Sequence, residues 1–206
     1  MKTAAKIILV FIINFLFNSN LPAQGLSLGL GMNIPMGSST QSMGFGLNLS
    51  GEYRFYDNYA MRLNSSFILS SLEGGVYVHS DTYTLSSFEG SFLYFPIKSK
   101  VQPYIGAGLG YYLPSSSSSS NATQILNTGN YNVGNNIDNS YGINILAGIR
   151  FASQSFISYN LELKYVFLKP TWNVNILESN GDRKIMDLGK LNLSELFVNF
   201  ALIFNL

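Results

Sequence analysis

The chain has 206 residues, enough for one ordinary domain, and its net charge of +1 gives no indication of a nucleic-acid partner. Charged residues make up only 11% of the sequence, against about 25% in typical soluble domains. Cysteine is absent, which excludes disulfides, thiolate zinc sites and a cysteine nucleophile.

The first 23 residues have the pattern of a secretory signal peptide. Lys2 and Lys6 supply its positive charge, and the apolar stretch 7–17 that follows is too short to span a bilayer comfortably. We therefore predict a cleaved signal peptide at 1–23 and a single exported domain at 24–206.

Eight segments of the exported domain alternate large apolar residues with small or polar ones, which is the period of a β-strand. They cover 26–34, 43–55, 59–69, 88–94, 105–113, 141–150, 157–167 and 195–206. The start of the fourth strand is open between 76 and 86, because the alternation is weak there. Most segments are close to the length, about 9–11 residues, that a tilted strand needs to cross a bilayer.

The connections between these strands alternate in length. Short turns follow the second, fourth and sixth strands. Long loops follow the others, at 35–42, 71–86, 114–139 and 169–190. The third loop is of low complexity, rich in Ser, Asn and Gly, and we expect it to be mobile. Together these features predict an all-β fold, an eight-stranded antiparallel up-and-down transmembrane β-barrel with short periplasmic turns and long outer loops.

The two faces of the predicted strands differ in a way that suits lipid outside and polar groups inside. All charges within the strands fall on the face built from small residues: Glu52, Arg54, Arg62, Glu89, Arg150, Glu162, Lys164 and Glu195. An Arg or Lys on the lipid face would cost about 2–4 kcal/mol at mid-depth. We therefore predict that these four acids and four bases form a structural charge network in the lumen, where they compensate one another.

Aromatic residues cluster near both predicted ends of the strands, which is typical of the interfacial belts of outer-membrane barrels. One belt is expected at the periplasmic rim and includes Tyr59, Tyr94 and Phe204. The other is expected at the outer rim and includes Tyr141 and Phe167.

Taken together, the chain resembles the small outer-membrane β-barrel family that includes OmpX and the membrane domain of OmpA. The resemblance covers 25–206 and depends on the alternation, the loop asymmetry, the apolar last strand and the glycine-rich segment 104–110. It implies an integral protein of the outer membrane, in contact with outer-membrane lipids and lipopolysaccharide. It also implies delivery by the barrel assembly machinery. We expect a monomer without cofactor, catalytic residues or metal.

An eight-stranded barrel is just wide enough for side chains to fill its inside, so we predict a closed lumen and a structural or surface-interaction role. The long outer loops would be the contact region, with Tyr131 and Trp172 as candidate contacts. A gated conduit, opened by switching ion pairs among Glu52, Arg62, Arg150 and Glu162, is the alternative use of the same charges.

Two further alternatives belong to other functional classes. The first is a lipid-A-modifying enzyme using His79, but Ser80 and Asp81 beside it would point in opposite directions along one extended loop. The His-x-Ser pattern of the deacylases among such barrels is absent. The second is a secreted lipocalin-like barrel, which would require an apolar lumen and a charged exterior.

Overall fold

The computed structural model describes residues 25–36, 44–72, 81–117, 131–152, 156–178 and 183–206. Its strands are β1 (Leu26–Pro35), β2 (Phe45–Tyr56), β3 (Tyr59–Leu72), β4 (Asp81–Tyr94), β5 (Val101–Ser117), β6 (Tyr131–Ile137), β7 (Ser140–Phe151), β8 (Ile157–Phe167), β9 (Thr171–Glu178), β10 (Arg183–Lys190) and β11 (Glu195–Asn205). No helix among the described residues is long and apolar enough to cross a membrane.

Eight of the strands form a closed antiparallel barrel in the order β1-β11-β8-β7-β5-β4-β3-β2. The barrel closes between the first and last strands, whose register runs from Ser27 opposite Asn205 to Pro35 opposite Phe197. At one end of this seam the Leu206 N–H donates to the Leu26 carbonyl at 2.9 Å. The predicted eight-stranded antiparallel barrel is therefore confirmed.

The two ends of the barrel differ, and we refer to them as the turn end and the loop end. The turn end carries Gly25, Leu206 and the short connections after β2, β4 and β7. The loop end carries the longer connections after β1, β3, β5 and β8. The predicted signal peptide, 1–23, lies outside the described residues and stays a prediction.

The outer wall of the barrel is apolar over most of its height. Its exposed side chains include Leu30, Leu47, Leu49, Leu63, Phe88, Leu109, Ile145, Leu161, Leu163 and Phe200. A continuous exposed apolar band is what a barrel presents to hydrocarbon, and it is the reverse of a soluble ligand-binding barrel. The face assignment made from the alternation is therefore correct.

Most predicted strand limits agree with the structure to within a few residues, and β8 agrees at both ends. Strand β4 begins at Asp81, inside the interval left open by the sequence. Strand β5 begins four residues earlier than predicted, at Val101, and extends to Ser117. Its last residues continue the pairing with β4 up to Thr82 opposite Ser117, so this part of the wall is taller than expected.

Two of the predicted loops contain strands, which corrects the prediction. The connection 114–139 contains β6 and the connection 169–190 contains β9 and β10, and these three form a separate sheet in the order β10-β9-β6. The predicted third loop is therefore not irregular throughout, because 131–137 forms β6, and its mobility stays a prediction. The backbone groups of β6 find partners in β9, from a different loop, and pairing between distant segments leaves little local signal in the sequence. We call this unit the external sheet.

Candidate functional site: the barrel lumen

Four of the predicted charged residues meet at the centre of the lumen, and we call them the central cluster: Glu52 on β2, Arg62 on β3, Arg150 on β7 and Glu162 on β8. The Nη1 and Nη2 atoms of Arg150 donate to the two carboxylate oxygens of Glu52 at 2.7 Å each. Arg62 donates to Glu52 at 3.2 Å and to Glu162 at 2.5 Å. A chain of alternating charges therefore crosses the barrel, with every member buried.

Neutral donors complete the hydrogen bonding of Glu162. The Tyr104 hydroxyl donates to its Oε2 at 2.7 Å, and the Asn199 amide donates to its Oε1 at 2.8 Å. Asn160 in turn donates to the Tyr104 oxygen at 2.8 Å. A buried carboxylate held by one cation and two further donors is compensated on both oxygens, which favours a fixed structural role.

Tyr104 was not among the predicted lumen residues. It shares the inward parity of Gly106 and Gly108, so the alternation of β5 contained the signal. Its ring has room because Gly148 faces it across the β5–β7 ladder. A Cβ on Gly148 would lie 2.4 Å from the Tyr104 hydroxyl oxygen and 2.7 Å from the Leu161 carbonyl oxygen. A large side chain such as Tyr104 therefore fits in the lumen because a glycine faces it on the inner wall.

A second ion pair lies nearer the loop end, and we call it the upper pair. Lys164 Nζ on β8 lies 2.9 Å from each carboxylate oxygen of Glu89 on β4. Ser87 and Asn144 also donate to this carboxylate, at 2.9 and 3.3 Å. The upper pair joins opposite walls of the barrel, as the central cluster does.

The space between the central cluster and the upper pair is small. A cavity of about 20 Å³ lies there, lined by residues that include Arg62, Glu89, Glu162 and Lys164. That volume has room for about one water molecule. The described side chains therefore fill most of the lumen at this depth.

Above the upper pair the lumen is filled mainly by apolar side chains, a feature that the sequence analysis missed. The loop-end cluster consists of the buried residues Ile68, Tyr83, Leu85, Tyr112, Ile137, Val166, Leu168, Leu193 and Phe197. Most of them belong to barrel strands, but Ile137 ends β6, and Leu168 and Leu193 lie in the segments that flank β9 and β10. The cluster therefore closes the loop end and anchors the external sheet to the barrel.

The two remaining charges of the predicted network lie at opposite ends of the lumen, outside the central cluster and the upper pair. Arg54 is half-buried at the turn end, where its Nη atoms donate to the Gln102 side-chain oxygen at 3.3 Å and its guanidinium lies over the Phe95 ring. Glu195 is buried at the opposite end, at the start of β11. The predicted network thus divides into the central cluster, the upper pair and these two separate residues.

Aromatic contacts occur at both rims of the outer wall, where the belts were predicted. At the turn end the rings of Tyr59 and Tyr94 lie 5.2 Å apart, and Phe156 lies 5.7 Å from Phe204. At the loop end, contacts join Tyr111 to Tyr141 and Tyr165 to Phe167.

The candidate contact residues lie in the external sheet. Tyr131 is the first residue of β6 and is opposite Glu178, and Trp172 in β9 is opposite Ile137. They are therefore at opposite ends of the β6–β9 ladder, and a shared role in binding stays a prediction. His79, the residue of the enzyme alternative, lies outside the described residues.

Solved structures of outer-membrane barrels resemble this fold at low sequence identity. OprG of Pseudomonas aeruginosa has a TM-score of 0.70 and 14% identity, over 89% of this chain and 97% of its own. Neisserial surface protein A gives a TM-score of 0.58 and 16% identity, over 88% and 97% of the two chains. Outer membrane protein W of E. coli gives 0.50 and 14%, over 89% and 98%.

No curated protein sequence matches the chain significantly. The sequence does match the model of the OmpW family over residues 45–197, which is most of its length and includes the greater part of the barrel. With the closed eight-stranded barrel, the apolar wall and the lumen filled by polar and paired charged residues, this match shows that the chain belongs to the OmpW family of outer-membrane β-barrel proteins.

Proposed function

We propose that the protein is a non-conducting barrel that holds a surface-contact module, the external sheet, on the outside of the cell. The observation that carries the proposal is that paired side chains fill the middle of the lumen. Ion pairs cross it at two levels, and the cavity between them has a volume of only about 20 Å³. A barrel without an open path has its accessible chemistry at its ends and in its loops.

The position of the external sheet supports a contact role. Short turns of outer-membrane barrels face the periplasm and long loops face outside, so the loop end is extracellular. Strands β9 and β6 are hydrogen-bonded along seven residue pairs, and Ile137 packs into the loop-end cluster. A paired and anchored sheet presents a fixed surface, which reduces the entropy cost of binding a partner.

The closed lumen can be tested by electrical recording. The mature protein would be inserted into planar bilayers, and we expect no sustained single-channel current at moderate voltage. The variant Arg62→Ala removes the cation that bonds to both Glu52 and Glu162. It tests the alternative in which these ion pairs gate a conduit. Sustained current through the unmodified protein would contradict the proposal and favour a gated conduit.

The contact role can be tested by removing part of the external sheet. Residues 172–189 would be replaced by a short Gly-Ser linker, and equal surface expression would be checked by antibody labelling. We expect cells carrying this variant to lose adhesion and cell–cell aggregation relative to the unmodified protein. The same linker in place of 37–43 is the control, and equal adhesion by all three strains would contradict a contact role for the sheet.

Other partners follow from the membrane location. We propose that lipid acyl chains cover the apolar wall, that lipopolysaccharide contacts the loop-end rim, and that the assembly machinery reads β11 as a folding signal. Strand β11 presents Leu196 and Phe200 outward, as an apolar terminal strand must. No observation on the described residues favours the lipid-A-modifying alternative, because His79 lies outside them.

A further inference from the structure

A recess opens into the lumen at the turn end of the barrel, opposite the loop end. Its volume is about 170 Å³, and the residues around it come from six strands and include Ser27, Arg54, Gln102, Arg150 and Ser158. We call it the turn-end recess. It is a separate space from the small cavity at mid-lumen. It lies on the turn-end side of both the central cluster and the upper pair.

The turn-end recess carries an excess of positive charge. Arg54 and Arg150 both line it, and no acidic residue does. Glu52 lies just beyond, but its two oxygens are already engaged by Arg150 and Arg62. Counting side chains with Glu162, three arginines face two glutamates, and the carboxylate of Leu206, which also lines the recess, makes no ion pair within 4.0 Å with Arg54 among the described residues.

Arg54 is the residue that carries the excess. Among the described residues no carboxylate lies within 4.0 Å of it, and its hydrogen bonds go to the neutral side chain of Gln102 at 3.3 Å. Phe95 covers one face of its guanidinium, with the ring centroid 4.2 Å from Cζ. A half-buried guanidinium that lies over a ring can still use its N–H groups to bind a planar anion.

Further donors are available around the same space. Arg150 is buried, and its Nε–H has no hydrogen-bond partner among the described residues. The Ser158 hydroxyl accepts a hydrogen bond from Asn205 at 3.0 Å, which leaves its own O–H to donate. Arg150 and Ser158 both line the recess, so an oxyanion there would lie beside the guanidinium of Arg150 and the Ser158 hydroxyl, although the Arg150 Nε itself is enclosed by protein atoms.

We propose that the turn-end recess binds a small oxyanion, with Arg54 as its principal ligand and Arg150 and Ser158 as additional donors. Carboxylate and phosphate share the required chemistry, because each presents oxygens that can accept a bidentate pair from one guanidinium. The recess faces the periplasm, so the ligand is a periplasmic carboxylate or phosphate group.

The test is a titration of the folded, isotope-labelled barrel in a nonionic detergent that carries no anionic head group. Sodium phosphate and sodium acetate would be added separately at constant ionic strength, and the amide signals of Ser27, Gln102 and Ser158 followed by NMR. We expect saturable shifts with at least one of the two probes. Stronger binding of phosphate would identify a phosphoryl ligand, and stronger binding of acetate a carboxylate.

Variants distinguish a site from general attraction to a cationic surface. Arg54→Gln should weaken binding about tenfold or more, as expected for loss of a charge-assisted bond. Arg54→Lys, which keeps the charge but not the planar fork, should give an intermediate loss. Lys98→Gln removes an exposed cation of the turn end that pairs with Asp57 outside the recess, and should leave the affinity unchanged.

Gel mobility before and after heating would show that each variant is folded. The proposal is overturned if neither probe gives saturable shifts, or if Arg54→Gln binds as tightly as the unmodified barrel. It is also overturned if Lys98→Gln weakens binding as much as Arg54→Gln does, since the signal would then come from surface charge alone.

Discussion

The middle and the loop end of the lumen are filled by opposite means. In the middle, charged side chains from opposite walls pair with one another, as Lys164 does with Glu89. At the loop end, apolar side chains such as Leu85, Val166 and Phe197 pack into one cluster. The apolar cluster gains from the burial itself, whereas a buried pair stabilises only if both partners and their hydrogen bonds are present.

The difference predicts how each region responds when one side chain is removed. The paired region should tolerate joint neutralisation and fail when one partner alone is lost. The apolar region should lose stability in proportion to the volume removed, whichever residue is changed. Four experiments on the refolded mature barrel, unfolded with urea and followed by circular dichroism, test this contrast.

The largest effect is expected for Lys164→Met, which leaves the Glu89 carboxylate buried without a cation. Breaking a buried pair from one side costs about 3–5 kcal/mol of unfolding free energy. The double variant Glu89→Gln and Lys164→Met should recover most of this loss, because the new amide can still bond to Ser87 and Asn144. A double variant as unstable as the single one would show that the two charges are not coupled.

In the loop-end cluster, Phe197→Ala should cost about 3 kcal/mol, from lost burial and the cavity left behind. Phe197 is 2% exposed. Phe200, on the same strand but facing outward, is 46% exposed and is the matched control. We expect Phe200→Ala to cost less than half as much. Equal losses at the two positions would indicate that the loop-end cluster is loosely packed.

A glycine of the inner wall provides the third test. Gly148→Ala would force a Cβ against the Tyr104 ring, and overpacking of this kind costs about 1–3 kcal/mol. Adding Tyr104→Leu should relieve part of that loss. Gly51→Ala on the outer face is the control, since its nearest atom would be Leu28 Cδ2 at 4.0 Å. Similar losses for both glycines would mean that the effect comes from the backbone and not from the ring.

The smallest effect is expected for Lys98→Ala, which removes the ion pair between Lys98, in the turn after β4, and Asp57, in the turn after β2. Both side chains are about half exposed, and such surface pairs contribute less than about 1 kcal/mol, with screening by salt. The unfolding free energy should therefore change little, and less still in high salt. A loss comparable with that of Lys164→Met would contradict the distinction between buried and exposed pairs.

The barrel was predictable because lipid imposes a strict pattern on the chain. Every second residue of β8 and β11 must be apolar, and any shift of one position would turn Glu162 or Asn199 towards hydrocarbon. The pattern therefore marks both limits of β8. It is weak between 76 and 86, and there the start of β4 could not be located from the sequence.

The external sheet and the partners within the lumen were not predictable in the same way. Strand β6 pairs with β9, and two barrel strands, β7 and β8, lie between them in the chain. No local periodicity therefore identifies β6. Arg62 and Glu162 are separated by 100 positions, and their contact depends on how the barrel curves and closes. The apolar loop-end cluster was missed although Ile68, Leu85 and Phe197 have inward parity, because the inner face was taken as polar throughout.

The chain order of the ion pairs limits when they can form. Arg62 lies on the third strand of the chain, whereas its partner Glu162 lies on the seventh strand of the barrel, and the seam itself needs the last strand. Contacts of such high sequence separation form late in folding. Until β8 pairs with its neighbours, Arg62 has only Glu52 on the adjacent strand as a carboxylate partner, so the ion pairs can cross the lumen only when the barrel is close to closure.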